Sequence, residues 1–285
     1  MDVAAAIARV EATRTEDERQ WLAAVPLERA LEAIDAMPEG LDYTATTPAL
    51  EAVDATVSVR CAAGWTGRYW NLVLLHLVAR TLERGWPMVL PADVHQALME
   101  ELERIVVECE TGPPRADPLG DGDFLTDLAY ARGRLLPFGV GLGVAPAWLP
   151  KEDGDDRPWI LVHLSGRRAK DITDWNAWIE SKALYARFLW ANPNYGGLFG
   201  TGWMSDPQLG EMSPHLAIVR QMLVDGGATI VDTGHTDAET IEHATSTSAT
   251  RRRHYKVGAW TPSEYRVVWP RENFLRSAEE LGITE

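Results

Sequence analysis

The stretch SPHLAIVRQMLVDGGATIVD, residues 213–232, holds a helix with a clear signal at each end and a strand directly after it. Ser213-Pro214 is a start signal, because a hydroxyl can cap a helix and proline is favoured at its first position. Asp225-Gly226-Gly227 is a stop signal, since glycine commonly ends helices. The pattern predicts a helix over Pro214–Val224 and a strand over Ala228–Asp232.

The segments around this stretch continue an alternation of strand and helix. Tyr195–Trp203 reads as a glycine-rich strand, and Tyr265–Trp269 is an aromatic and β-branched one. Between them, Thr236 and Glu239 form a capping box that predicts a helix to about Arg253. The resulting order of strand, helix, strand, helix and strand is typical of an α/β layer.

Further strands and a long helix are predicted upstream. Trp159–Leu164 is a short β-rich run, and Asp174 can cap a helix over Trp175–Trp190, which Asn192-Pro193-Asn194 ends. Gly139–Gly143 has the glycine spacing of a phosphate loop, but Val-Ala-Pro follows where a helix should begin. We therefore expect a bent strand there.

The first third of the chain has helical periodicity instead. Apolar residues recur at intervals of three and four over Ala4–Arg14, Glu16–Leu22 and Leu27–Ala36, and Asp93 is predicted to cap another such helix. Thr111–Asp123 holds three prolines and three glycines without periodicity and is a candidate boundary, and the charged run over residues 151–156 is a second break. We predict a helical N-terminal region over residues 1–115 and an α/β domain over 124–285, an α/β (α+β) fold with a mixed sheet flanked by helices.

Charge and composition narrow the class of function. With 42 acidic against 27 basic residues the net charge is −15, which disfavours binding to nucleic acid or to anionic membranes. No apolar run is long enough to span a bilayer, the first residues lack a signal-peptide pattern, and two cysteines do not make a disulfide framework. We expect a cytoplasmic bacterial protein that binds a small molecule, and its oligomeric state stays open.

Two clusters of polar residues have alternative interpretations. Arg251-Arg252-Arg253 follows a hydroxyl-rich run and could bind a phosphate or a carboxylate, or could simply interact with the negative end of a helix. His235, Glu239 and His243 are spaced for one helical face, which would suit a metal. His235 precedes the cap Thr236, however, so we predict no metal site.

The run Trp203-Met204-Ser205-Asp206 places polar groups at the carboxyl end of a predicted strand. Ligands of open α/β sheets bind at that edge. Most of the tryptophans are expected to pack in the core, but Trp203 is a candidate pocket residue.

Residues 198–269 resemble the second half of a GNAT-type N-acetyltransferase. In that family a bulged strand leads into a loop of backbone amides that holds the coenzyme A pyrophosphate, a second strand and helix follow, and a tyrosine ends that helix. The resemblance assigns the first strand to Leu198–Trp203, the loop to Asp206–Pro214, the second strand to Ala228–Asp232 and the tyrosine to Tyr255. It implies a splayed pair of strands that opens a slot beside Trp203 and Tyr255.

The same resemblance implies acyl transfer from acyl-coenzyme A, or from an acyl-carrier thioester, to a small amine. Tyr255 would protonate the leaving thiolate and Asp206 would act as a base, directly or through water. The remaining implied residues fall into two groups: pocket residues, namely Trp203, Ser205, Arg251 and Arg252, and cofactor-binding residues at a helix start, namely Met212, Ser213 and His215.

Two other functions fit the same fold. Glu211 lies where a pyrophosphate would bind, and its carboxylate favours a module that binds a small molecule or a protein without catalysis. A non-transferase enzyme on the same fold is the third possibility.

Overall fold

The computed structural model of the chain describes residues 2–37, 48–60, 65–112, 119, 122–132, 135–138, 141–147, 156–164 and 171–285. The chain divides into two compact units, Met1–Leu136 and Pro137–Glu285. The predicted bounds, 1–115 and 124–285, stay a prediction. Most of Thr111–Asp123 and of the charged run at 151–156 lies outside the described residues.

Up to Arg132, the described part of the first unit contains helices and their connections. Its helices are α1 (Val3–Ala12), α2 (Glu16–Ala24), α3 (Leu27–Asp35), α4 (Pro48–Arg60), α5 (Trp65–Arg84), α6 (Ala92–Thr111) and α7 (Gly122–Ala131). The three helices predicted before residue 37 are confirmed. The prediction for Asp93 was wrong, because α6 begins after Pro91 and Asp93 lies within its first turn.

The second unit combines a sheet with helices. The strands are β1 (Leu135–Phe138), β2 (Gly141–Ala147), β3 (Trp159–Leu164), β4 (Gly197–Gly202), β5 (Thr229–Asp232) and β6 (Tyr265–Pro270), and the boundary between the units falls within β1. The helices are α8 (Trp175–Ala191), α9 (Leu209–Met212), α10 (Ala217–Asp225), α11 (Ala238–Ser246), α12 (Ala249–Lys256) and α13 (Arg271–Glu279).

The strands form one mixed sheet in the order β1-β2-β3-β4-β6-β5. β2 pairs with β3 in antiparallel fashion, β3 pairs with β4 in parallel, and β6 pairs with both β4 and β5 in antiparallel fashion. Helices α8 and α13 pack against each other, and α13 also packs on β4 and β6. The predicted class, a mixed sheet flanked by helices, is confirmed.

The parallel neighbours β3 and β4 approach each other closely. Over the described residues they pair at Ile160 with Leu198 and at Leu161 with Phe199. A Cβ atom at Gly200 would lie 2.7 Å from the carbonyl oxygen of Val162, so only glycine fits at this close approach of the two strands. β6 lies between β4 and β5, the two strands that the resemblance assigned to Leu198–Trp203 and Ala228–Asp232.

The helix predicted from Thr236 to Arg253 is two helices. Asp237, not Thr236, caps α11 by accepting from the amide of Thr240, and Ser248 caps α12 by accepting from the amide of Arg251. The break falls in a run of serine and threonine, whose hydroxyls compete for backbone hydrogen bonds and disfavour a helix interior.

The helix predicted at Pro214 begins as a 3-10 turn, Pro214–Leu216, and continues as α10. Ser213 does not cap it, contrary to the prediction. Its hydroxyl accepts a hydrogen bond of 2.8 Å from Nη1 of Arg251 instead. The predicted stop at Gly226 is confirmed.

Candidate functional site

A cavity of about 270 Å³ lies within the second unit, against β4 and β6 and between α8 and α10. Its volume is at the low end of the range of small-molecule pockets. Most of its wall is apolar, with side chains from both strands and from helices on one side of the sheet. The apolar wall includes Trp178, Leu198, Val219, Met222, Val267 and Phe274.

The cavity has a closed and an open end. Leu198, at the start of β4, is buried, whereas Thr201 near the end of that strand is exposed. His243 of α11 also lines the cavity and is exposed. The strand therefore leads from a buried end, where β3 and β4 are still paired, to an end that solvent reaches.

Lys182 of α8 lies at the closed end and is 5% exposed. Its Nζ lies 4.9 Å from the ring centroid of Trp269 and 5.7 Å from that of Phe274. Burial lowers the pKa of Lys182 from its ordinary 10.5 to about 8, with Glu280 acting in the opposite direction. The ammonium is therefore mostly protonated at pH 7.

Trp269 forms the floor beneath this lysine. Its ring packs edge to face on Phe274, with centroids 4.7 Å apart, and its Nε1 donates 2.7 Å to the carbonyl oxygen of Gly226. A Cβ atom at Gly226 would lie 2.1 Å from Cζ2 of the same ring. Glycine is thus required at the end of α10 for Trp269 to occupy its position.

Two of the predicted site residues, Trp203 and Ser205, line the cavity. Both follow β4 in a 3-10 turn at its carboxyl end, Trp203–Ser205. The backbone carbonyl of Ser205 accepts from Nη1 of Arg220 at 2.5 Å. The other predicted residues lie outside the cavity wall: Asp206, Met212, Ser213, His215, Arg251, Arg252 and Tyr255.

Asp206 uses both carboxylate oxygens within the protein. Oδ1 accepts from the amide of Gln208 at 2.8 Å, and Oδ2 accepts from Nε1 of Trp260 at 2.8 Å. The residue is 2% exposed. These bonds hold the turn after β4 against Trp260 and direct the carboxylate into the core.

Arg251 is a buried clamp between three segments. Its guanidinium donates to the carbonyl oxygen of Ala244 at 2.6 Å, to Oγ of Ser213 at 2.8 Å and to Oγ1 of Thr247 at 3.0 Å. The same group lies 4.9 Å from the ring centroid of Trp203. Arg251 therefore joins the start of the α10 segment to the break between α11 and α12.

The neighbouring Arg252 is exposed and has a different set of acceptors. Its Nη2 donates to the carbonyl oxygen of Ser246 at 2.6 Å, and its Nε donates to that of Thr245 at 3.3 Å. These are carbonyls at the end of α11, as the helix-end interpretation of the arginine cluster anticipated.

Tyr255 and Met212 pack, together with Trp203, against a buried cluster of Leu209, Ala244 and Trp260. Tyr255 is not part of the cavity wall, whereas Trp203, which packs on the same cluster, is. The amide of Ser213 donates to the carbonyl oxygen of Leu209 at 2.7 Å. Pro214 has no N–H, so this turn offers fewer amides than the predicted anion site requires.

In the described structure, His235, Glu239 and His243 do not form a set of metal ligands. His235 lies before α11, and its Nε2 is 3.2 Å from Oδ2 of Asp237. Within the described ranges, no group of three or more His, Cys, Asp and Glu side chains is placed to hold a metal ion. No helix in the described part of the chain has the length and apolar content to cross a membrane.

Sequence reasoning missed the lysine and the aromatic residues of the cavity. Trp178, Lys182 and Tyr185 are spaced at i, i+4 and i+7, so they share one face of α8. A lysine on the apolar face of an otherwise buried helix is the signal that could have found it. His243 was considered only as a metal ligand.

The chain shares its fold with solved acyltransferases. It is 19% identical to a mutant acyltransferase in complex with octanoyl-CoA, with a TM-score of 0.53 over 94% of this chain and 88% of that chain. It is 20% identical to an acyltransferase in complex with decanoyl-CoA and teicoplanin, with a TM-score of 0.52 over 93% and 86% of the two chains. No family model and no curated protein matches the sequence.

Proposed function

We propose that this protein is a GNAT-like acyltransferase that moves an acyl group from acyl-coenzyme A to a small nucleophile such as an amine. The observation that carries the proposal is the mainly apolar cavity beside β4, which reaches Trp203 and Ser205 at the carboxyl end of that strand. The fold of the chain is similar to that of acyltransferases solved with acyl-CoA, and this similarity supports the same function.

The cavity suits the acyl chain of such a donor. Its wall is mainly aliphatic and aromatic, so it would take a hydrocarbon chain out of water. Gly200, Thr201 and Gly202 of β4 line the cavity. Backbone groups of a strand can hydrogen-bond an extended ligand that contains amides, as the pantetheine arm of coenzyme A does.

The transfer requires a base for the nucleophile and an acid for the leaving thiolate. The amine attacks the thioester carbonyl carbon, the carbon–sulfur bond breaks, and the thiolate leaves with a proton. Since Asp206 is bonded to Trp260 and Gln208, we assign the base to His243 at the open end. Tyr255 remains our candidate for the acid, and it packs with the cavity residue Trp203 against the same buried cluster.

Binding of the donor is tested first, with a pair of variants on one strand. Val267 lines the cavity, and the side chain of Val268 points to the other face of β6. Acyl-CoA at 100 times its Kd should stabilise the wild type by about 2.7 kcal/mol in thermal unfolding. We expect Val267→Phe to lose this effect and Val268→Phe to keep it. Equal stabilisation of both variants, or none of the wild type by any acyl-CoA, would contradict the proposal.

Turnover is tested by release of free thiol from acyl-CoA in the presence of a panel of small amines. We expect His243→Ala and Tyr255→Phe each to lower turnover by at least roughly tenfold while acyl-CoA still binds. A Tyr255→Phe variant with unchanged turnover would remove that residue from the mechanism.

The inward-directed carboxylate of Asp206 favours one alternative, a module that binds acyl-CoA without transferring the acyl group. Stabilisation by acyl-CoA without thiol release across the amine panel would select this alternative.

A further inference from the structure

Lys182 is a buried cation at the end of an apolar cavity. The residue is 5% exposed, the carboxylate of Glu280 acts on it electrostatically, and no hydrogen bond joins its Nζ to a described residue, although an ammonium carries three N–H donors. The rings of Trp269 and Phe274 lie against it and stabilise the charge in part. An aromatic face accepts no strong hydrogen bond, so this cation still lacks an oxygen partner.

The position of Lys182 fixes where that oxygen must come from. Trp269 is opposite Leu198 in the sheet, so the ammonium lies at the end where β4 begins and side chains are buried. The cavity extends along β4 toward Trp203 and Ser205, a distance of about 16 Å for five residues of extended strand. A ligand that enters at the open end therefore meets Lys182 with its far end.

We propose that Lys182 binds a carboxylate at the distal end of the acyl chain, so that the cavity selects ω-carboxyacyl thioesters, the half-thioesters of dicarboxylic acids. This inference rests on the proposed function and names the class of donor. The methylene groups of the chain contact the apolar wall, and the terminal carboxylate pairs with the ammonium. The pair is formed away from water, where the loss of one partner is costly.

The lowered pKa of Lys182 is consistent with this role. With a pKa of about 8, the ammonium is still charged at neutral pH. The lowering of the pKa reflects the free energy that burial of the charge costs. A carboxylate beside the ammonium would offset that cost. A neutral acyl chain would not offset the cost of burying the ammonium. The resulting difference in binding free energy produces the selectivity.

The test compares decanedioyl-CoA with decanoyl-CoA, which differ at the far end of a chain long enough to reach Lys182 from the open end, by calorimetric titration at pH 7. We expect the wild type to bind decanedioyl-CoA at least about tenfold more tightly. Lys182→Met should abolish or reverse the preference, and Lys256→Met, the same change at an exposed lysine, should keep it. The net charge of −15 works against the more anionic ligand, so a general field effect cannot imitate the result.

The outcomes separate the two proposals. If neither thioester binds, the proposed function fails and the donor class fails with it. Equal affinity of the wild type for both thioesters overturns the assignment of Lys182 while acyl-CoA binding stands, and it does not depend on how any variant folds. If free decanoate binds in a Lys182-dependent manner without a preference between the thioesters, the lysine serves a free acid and the proposal is also overturned.

Discussion

Arg251 and Lys182 are both cations buried in the second unit, with 4% and 5% of their surface exposed. The guanidinium of Arg251 donates to three acceptors and stacks on Trp203. The ammonium of Lys182 contacts two aromatic rings and faces a cavity. Burial alone therefore does not distinguish a structural cation from one that is available to a ligand.

The distinction lies in how the donors are satisfied. A cation whose donors are occupied within the chain holds segments together and has little left for a substrate. A cation without an oxygen partner keeps its binding capacity at the expense of folding stability. The arginine cluster that the sequence suggested as a binding site belongs to the first kind.

The largest expected effect on folding stability comes from replacing Arg251. Arg251→Met removes every donor to Ala244, Ser213 and Thr247 and leaves those acceptors unpaired, so we expect unfolding to be easier by about 3 to 5 kcal/mol. Urea denaturation measures this change. Arg253→Met, at an exposed position of the same helix, should stay within about 0.5 kcal/mol of the wild type. A similar small effect for Arg251→Met would show that the clamp is not structural.

A second substitution in the same region tests the hydrogen bond between Trp260 and Asp206. Trp260→Phe removes the indole N–H from Oδ2 of this buried carboxylate and should destabilise the fold by about 2 to 3 kcal/mol. Trp175→Phe is the matched control, because Trp175 is 40% exposed. If the two variants unfold at the same urea concentration, the carboxylate is not held as described.

Lys182→Met should raise the free energy of unfolding, whereas the two previous substitutions lower it. The variant removes a buried charge and keeps an apolar side chain of similar length, so we expect a gain of about 2 kcal/mol at pH 7. Below pH 8 both the folded and the unfolded wild type hold the proton, and the folded state bears the full cost of the charge. Between pH 8 and 10.5 the folded state releases the proton first, so wild-type stability rises and the gain narrows. A gain that is constant between pH 7 and 9.5 would contradict a lowered pKa.

The smallest effect concerns one donor of the clamp. Thr247→Ala removes the acceptor of Nη2 of Arg251 and leaves the other two, so we expect a loss of about 1 kcal/mol. Thermal unfolding measures it, with Thr240→Ala on α11 as a comparison. A loss as large as that of Arg251→Met would mean that the three bonds act as one unit.

Local signals in the sequence predicted much of the second unit. The run from Ser213 to Asp232 contains a start, a periodic helix, a stop and a strand, and the structure confirms the helix, its end and the strand. The break at Thr247 was missed because a capping box and apolar spacing outweighed the hydroxyl-rich run. Ser213 was misread because its hydroxyl has a distant partner, Arg251, which no local pattern reveals.

The cavity could not be derived in this way. It depends on β6 lying between β4 and β5 and on the pairing of β3 with β4, and both arrangements are long-range. The predicted pocket residues Trp203 and Ser205 were found because they follow a strand at its carboxyl end. Lys182 was not, since its neighbours Trp269 and Phe274 are far from it in sequence.

Gly226 lies at the end of α10, yet it governs the pocket floor through a single indole. Any side chain there would displace the ring of Trp269, and with it the surface on which the Lys182 ammonium lies. The proposed donor preference can therefore be altered from a turn that lies outside the cavity wall. A search for variants that change it would include the turn Gly226-Gly227 as well as the residues that line the cavity.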